Sequence, residues 1–332
     1  MPTDPLGFIA RMNALGLMLI TPEFYRIRRL RSQSALKIDH RPTHFTMKPE
    51  STTIDGLDIR FAQCRNPDRP TVLFLSPLPQ SILCYDAVWA QLIDRVDLVA
   101  VDLPGFGHSE GGNGYATFSA QSAFLEKFVA ALNLSDVHIV APDVAMPVAM
   151  HYAMYDRSKA KTLMIGDGPG ILPSQDGSLI RKIVGSSFWR AMVRLNGAKT
   201  FIAGALHLGY LHYSPNKAEV EDYVRSYTDR IGFVTEYFKH YPTGCESLTK
   251  NTSLLTMPVN VFWADEDAFL NVENAYHLHR TLPNSELHIF ENCGHFCYQD
   301  KSVEFAEMVQ HWVHRGSEPI TSPQVSSNPA QS

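Results

Sequence analysis

Cysteine is scarce in this chain of 332 residues: Cys64, Cys84, Cys245, Cys293 and Cys297 are the full set. An odd, sparse set excludes a disulfide framework and fits a reducing compartment, so a cytoplasmic location is expected. A surplus of one charge sign is missing too. Lys and Arg number 29 against 34 Asp and Glu, a net of -5, without the basic excess that nucleic-acid binding leaves. Long apolar runs are also missing. Pro5 to Ile20 comes nearest, but Arg11 and Asn13 interrupt it, and it is shorter than the ~20 residues of a spanning helix. It lacks the basic start and small-residue cleavage site of a secretory signal. Glycine-rich nucleotide fingerprints are absent, so no NAD, ATP or other cofactor is expected. Gly105 and Gly107 serve a tight loop. What is present is ordinary for a globular protein: 45% apolar and 19% charged residues, wrong for a disordered or collagen-like chain. The default partner is a small-molecule substrate, and oligomeric state stays open.

At ~150 residues per domain, the length suits two units or one large α/β domain with an insertion. Strand and helix patterns alternate after about residue 50. Thr52 to Ile54 and Leu57 to Phe61 flank Asp55-Gly56, a hairpin signal. Short apolar runs at 71–76, 97–102, 137–141 and 161–166 read as buried strands. Helical spacing covers 85–95, 117–132 and 144–155. Such alternation predicts a mostly parallel twisted sheet flanked by helices. From Gly168 to about residue 250 only helical patterns appear. Ser214-Pro215 reads there as an N-cap followed by proline at the first helical position, with Val220, Val224 and Tyr227 on one face. Strands return at 259–264 and 286–290, and a last helix spans 302–314. The expected organisation is an N-terminal arm over 1–49, a core over 50–168 and 251–315, a helical cap over 169–250 inserted after the sixth strand, and a disordered tail over 316–332, rich in Ser, Pro, Asn and Gln.

The arm has two readings. Its apolar segment is followed by Arg26, Arg28, Arg29 and Arg31, a pattern that can rest weakly on an anionic membrane surface. The simpler reading, which we favour, is an arm packed on its own domain.

The sharpest chemical feature is Asp143, between a strand and a helix, with Ala141 and Ala145 two residues to either side. A tight strand-to-helix elbow needs small flanking residues and lifts its central side chain to the carboxyl end of the sheet. The helix N-terminus behind it favours negative charge. An aspartate there attacks an sp³ carbon without a base to activate it; the plainer alternative is a helix-capping aspartate. Asp267 follows the strand ending at Ala264, and His295 follows Cys293-Gly294 before the last helix. The order Asp143, Asp267, His295 is that of nucleophile, acid and base in this kind of sheet, with His295 drawing a proton from water and Asp267 holding its ring. Asp167, ending another strand, is the runner-up acid. Cys293-x-x-x-Cys297 encloses His295, but no second Cys/His pair has matching spacing, so no metal is expected.

These motifs resemble the α/β-hydrolase fold superfamily from about residue 50 to 314. Its supports are Ser76-Pro77-Leu78-Pro79-Gln80 where the family usually shows His-Gly-x-Pro, the loop Asp102-Leu-Pro-Gly-Phe-Gly-His-Ser109, the elbow, and Gly294-His295. Aspartate at the elbow resembles the branch holding epoxide hydrolases and haloalkane dehalogenases. The resemblance implies an alkyl-ester intermediate on Asp143, hydrolysed by a water that His295 activates. It places the oxyanion donors at the backbone N–H groups of Leu78 and Val144. The departures weigh against a dehalogenase: Val144 stands where that branch commonly has Trp, and Leu78 where dehalogenases place Asn, Trp or Glu. Epoxide hydrolases donate protons from cap tyrosines, which makes Tyr210, Tyr213, Tyr237 and Tyr241 the possible donors. Phe238-Lys239 aligns with a usual Tyr-Arg pair, so Tyr237 or Tyr241 would have to substitute. The expected function is therefore an epoxide hydrolase-like enzyme. The alternatives are a haloalkane dehalogenase-like or lactone/ester hydrolase, and a non-catalytic ligand-binding relative.

Overall fold

In the computed structural model of the protein, residues 4–33, 44–154 and 158–315 are described; the expected tail over 316–332 lies outside them. The sheet begins at the Asp55-Gly56 turn. Both residues take positive φ, 56° and 76°, as a two-residue hairpin matched to strand twist requires. The turn joins β1 (Glu50–Ile54) to β2 (Leu57–Cys64) in antiparallel register, with Ile54 opposite Leu57. The remaining strands are β3 (Thr71–Leu75), β4 (Asp97–Val101), β5 (Val137–Pro142), β6 (Ala160–Gly166), β7 (Val259–Ala264) and β8 (Ser285–Phe290). They assemble in the order β1-β2-β4-β3-β5-β6-β7-β8, and every pairing from β4 to β8 is parallel. Strands β4, β5 and β7 are buried at every position. That is why they read as continuous apolar runs and not as alternation.

Two helices precede the sheet, α1 (Phe8–Met18) and α2 (Pro22–Gln33). Those flanking it are α3 (Asp86–Leu92), α4 (Phe118–Ala131) and α5 (Ala145–Ala153). Between β6 and β7 run α6 (Ser178–Gly185), α7 (Ser187–Leu208), α8 (Lys217–Tyr227) and α9 (Ile231–Asn251). The chain closes with α10 (Glu273–Thr281), the short α11 (Cys297–Asp300) and α12 (Ser302–Arg315). Helix α7 is broken at Gly197, whose φ is 75°. No helix among the described residues is long and apolar enough to cross a membrane.

The arm packs on its own domain. Phe24 and Ile27 are buried. The Glu23 carboxylate accepts from the Ser178 N–H at 2.8 Å and from its hydroxyl at 2.5 Å. Arg26 pairs with Glu266 and donates to the Asp267 carbonyl at 2.9 Å. Arg31 donates to the His207 carbonyl at 3.0 Å.

One expected boundary is corrected. Ser214 is not the cap of α8, and Pro215 is not its first residue. The cap is Asn216, whose side chain accepts from the Glu219 N–H at 3.1 Å while Glu219 accepts from the Asn216 N–H at 2.8 Å. A reciprocal capping box satisfies two otherwise orphaned donors, and a Ser-Pro start two residues earlier offers nothing comparable. Asn216→Ala is expected to lower stability by about 1 kcal/mol, read from urea unfolding midpoints, while Ser214→Ala leaves it unchanged. Equal losses in both variants would return the cap to Ser214.

Candidate active site

Asp143 follows the last residue of β5 and precedes α5 by two positions. Its φ is 52°, in the left-handed region that side chains seldom occupy. The turn is tight: a Cβ on Gly168 would lie 2.3 Å from the Asp143 carbonyl oxygen, and Ala141 and Ala145 are fully buried beside it. The side chain that results is itself buried. Its Oδ2 accepts from the Leu78 N–H at 2.6 Å, and the neighbouring Val144 N–H also favours the charged carboxylate. Burial pushes the Asp143 carboxyl up to about 6, against His295 and these two donors. At neutral pH it is still mostly ionised.

His295 stands opposite. Its Nδ1 is 2.8 Å from Asp267 Oδ2, and its Nε2 is 3.8 Å from Asp143 Oδ1. The other Asp267 oxygen accepts from the Phe269 N–H at 2.7 Å and the Leu270 N–H at 3.1 Å, which fixes the carboxylate. Burial alone would lower the His295 pKa. The charge and hydrogen bond of Asp267, then the charge of Asp143, outweigh it and raise the imidazole to about 9. The resting pair is thus an imidazolium beside a carboxylate.

Two further carboxylates hold the histidine loop. Asp265 accepts from the N–H groups of Asn292 at 2.8 Å and Cys293 at 3.0 Å. Asp300 accepts from Gly294 at 2.9 Å and from Leu211, His212 and Tyr213 at 2.7, 3.1 and 2.7 Å, tying that loop to the segment after α7.

Asp167, the runner-up acid, sits fully buried just beyond β6. It accepts from the Ala264 N–H at 2.9 Å, and the Cys297 thiol lies 3.1 Å from its other oxygen. Burial, then the charge of Asp267, raises its pKa well above the carboxylate range. His295 Nδ1 is thereby left to Asp267. One atom each of Asp167, Asp267 and His295 falls within 4.8 Å of the others, but the hydrogen bonds above already engage these groups.

A cavity of about 80 Å³ opens on Asp143 and His295, bounded by Leu78, Tyr241 and Phe269. Helix α1 contributes Ala14, Leu17 and Met18 to its wall, a role that nothing in the sequence reading marked. Of the four tyrosines singled out, Tyr241 lines the cavity. Tyr237 is buried, and its hydroxyl donates to the Val144 carbonyl at 3.1 Å. Tyr210 donates to Gln299 at 2.6 Å and Tyr213 to Glu219 at 2.5 Å, within a buried polar network that includes Gln80 and Tyr298. Burial lifts the Tyr241 phenol well above its usual range, so it is protonated at neutral pH.

The family model for the alpha/beta hydrolase fold matches residues 70–302, and the chain belongs to that family. A membrane phospholipase A described as a bacterial virulence factor superposes with a TM-score of 0.70 and 20% identity, over 88% of this chain and 90% of that one. The epoxide hydrolase CorEH gives 0.67 and 21%, over 81% and 99%. The haloalkane dehalogenase DbeA of Bradyrhizobium elkani gives 0.71 and 18%, over 81% and 98%. At such identities these likenesses concern the fold.

The electrostatics of the pair can be titrated. His295 is expected to titrate near 9 in the free protein. Asp143→Asn removes one negative neighbour and lowers that value, and Asp267→Asn lowers it further. Proton–carbon NMR of the imidazole follows both. A His295 titration unmoved by Asp267→Asn would break the assignment of the acid.

Proposed function

We propose that the protein is a hydrolase acting through an ester of Asp143, with an epoxide as substrate. The observation that carries this reading is the carboxylate at the elbow, held by the Leu78 N–H at 2.6 Å on one oxygen and lying 3.8 Å from His295 Nε2 through the other. A serine in that place would need a base to become a nucleophile; an ionised aspartate does not.

In the first half-reaction Asp143 Oδ1 attacks a ring carbon of the epoxide. The new C–O bond forms as the ring C–O bond breaks, and the alkoxide takes the proton of Tyr241. Esterification then removes the negative charge nearest Nε2. That charge, after the larger one of Asp267, helps to hold His295 near 9, so the imidazole becomes more acidic and yields its proton, which restores the tyrosine. Neutral Nε2 next draws a proton from water, and the hydroxide adds to the ester carbonyl. The oxyanion forms on Oδ2, which accepts from the Leu78 N–H, with the Val144 N–H as the second proposed donor. Collapse expels the diol oxygen, which takes the proton from His295. The regenerated acid then loses its proton to His295, and the ion pair returns. Epoxide and water give diol, with no net proton change.

Neither Leu78 nor Val144 carries a side-chain donor for a departing halide, so carbon–halogen hydrolysis is the weaker reading.

In His295→Gln, intact-mass spectrometry with a panel of epoxides, haloalkanes and lactones should find a stable adduct. It should vanish in Asp143→Asn. No adduct and no wild-type turnover across the panel would favour a ligand-binding role on the same fold. Single-turnover ester formation in the wild type should fall away below a pH of about 6 as Asp143 protonates. Tyr241→Phe should slow epoxide opening by about 100-fold and leave any haloalkane reaction unchanged, since a halide needs no proton. An equal loss on both substrates would remove Tyr241 as the acid.

A further inference from the structure

Helix α1 is apolar on both sides. One face is buried through Ala10, Ala14 and Met18, and Ala14, Leu17 and Met18 reach the cavity wall. The opposite face holds Phe8 (77% exposed), Ile9 (75%) and Met12 (49%), with Leu19 (46%) and Ile20 (54%) in the turn that ends the helix. At about 100° per residue, positions 8, 9, 12, 19 and 20 fall within one third of the circumference. Two more large apolar side chains, Phe188 and Leu195, stand exposed on the first half of α7. That half also sends Val193 and Asn196 to the cavity.

The exposed charges of α2 left without a described acidic partner are basic. Of the arm's arginines, Arg11 is spent on Asp4, Arg26 on Glu266 and Arg31 on a backbone carbonyl. Arg28 and Arg29 are exposed on α2, and no described acidic group pairs with either.

We propose that this face of the arm docks on an anionic lipid surface, with the α1 stripe entering the acyl boundary and Arg28 and Arg29 meeting the headgroups. An exposed stripe of large apolar side chains on α1, with exposed arginines on the following helix of the same arm, has the composition of an interfacial segment. A second copy of the chain fits less well, because an isologous contact places each patch against its own kind and sets these arginines near their counterparts. The proposal is independent of the reaction assigned to the cavity.

The test uses the full chain, because the arm forms part of the cavity wall and its removal would disturb more than docking. Flotation is compared on vesicles of phosphatidylcholine alone and of phosphatidylcholine with phosphatidylglycerol. The protein should float with the anionic vesicles and less so at high salt. Ile9→Glu/Met12→Glu should abolish flotation. Arg28→Ser should weaken partitioning about fivefold, and Arg29→Ser likewise. All of these positions are exposed, and unchanged thermal midpoints verify folding. Failure to float on either vesicle, or flotation undiminished in Ile9→Glu/Met12→Glu, overturns the proposal. Self-association that this double variant abolishes, with no vesicle binding, overturns it in favour of a contact between copies.

Discussion

An ionised carboxylate buried in protein needs compensation, and the arrangement of this site follows from providing it at Asp143. The Leu78 N–H donates to one oxygen, and the His295 imidazolium faces the other. The left-handed turn at Asp143 places it there, and Gly168 is required because any side chain would strike the Asp143 carbonyl. The compensation is also chemical. Asp267 raises His295 most and Asp143 adds to it; in the proposed reaction, alkylation of Asp143 would remove that second charge, so the resting ion pair and the base would be two states of one electrostatic arrangement. A histidine poised near neutrality at rest would balance the Asp143 charge less completely.

The same device recurs around the sheet. Asp102 accepts from the N–H groups of Ile82 at 2.8 Å and His108 at 3.0 Å, with Arg60 at 3.4 Å. Gly107 beside it admits no Cβ, which would lie 2.1 Å from that carboxyl. Asp97, Asp265 and Asp300 likewise collect backbone N–H groups from loops far away in the chain. Loops at both ends of the sheet are thus pinned by buried or half-buried carboxylates, each meeting donors that would otherwise be unsatisfied. This is how a chain with five unpaired cysteines keeps Asp143, Asp267 and His295 in register without covalent staples.

What could be read in advance divides along the same line. Strands β3 to β7 were legible because burial on both faces leaves continuous apolar runs, and the hairpin because Asp-Gly supplies positive φ. Asp143, His295 and Asp267 were legible as a chain order with small residues where a tight turn needs them. The start of α8 was misplaced by two residues because Ser-Pro and Asn-x-x-Glu are both start signals, and only the second closes reciprocal hydrogen bonds. The choice among four tyrosines was beyond periodicity. Tyr237 and Tyr241 lie one turn apart on α9, yet the Tyr237 hydroxyl meets a carbonyl while Tyr241 lines the cavity. Asp300 carried no signal, since its partners 211–213 lie in a different segment.

The arm shows why a local pattern underdetermines a role. A helix that is apolar all round is normally buried all round. Helix α1 is not: half of it closes the cavity and half faces outward. Its neighbour α2 grips the acid's loop, because Arg26 donates to the carbonyl of Asp267 itself while Glu23 holds the start of α6. The seat of the arm, the wall of the cavity and the position of Asp267 are therefore one mechanical unit. Any surface that engages the outer stripe of α1 acts on a helix already in contact with the site, without a long chain of intermediates between them.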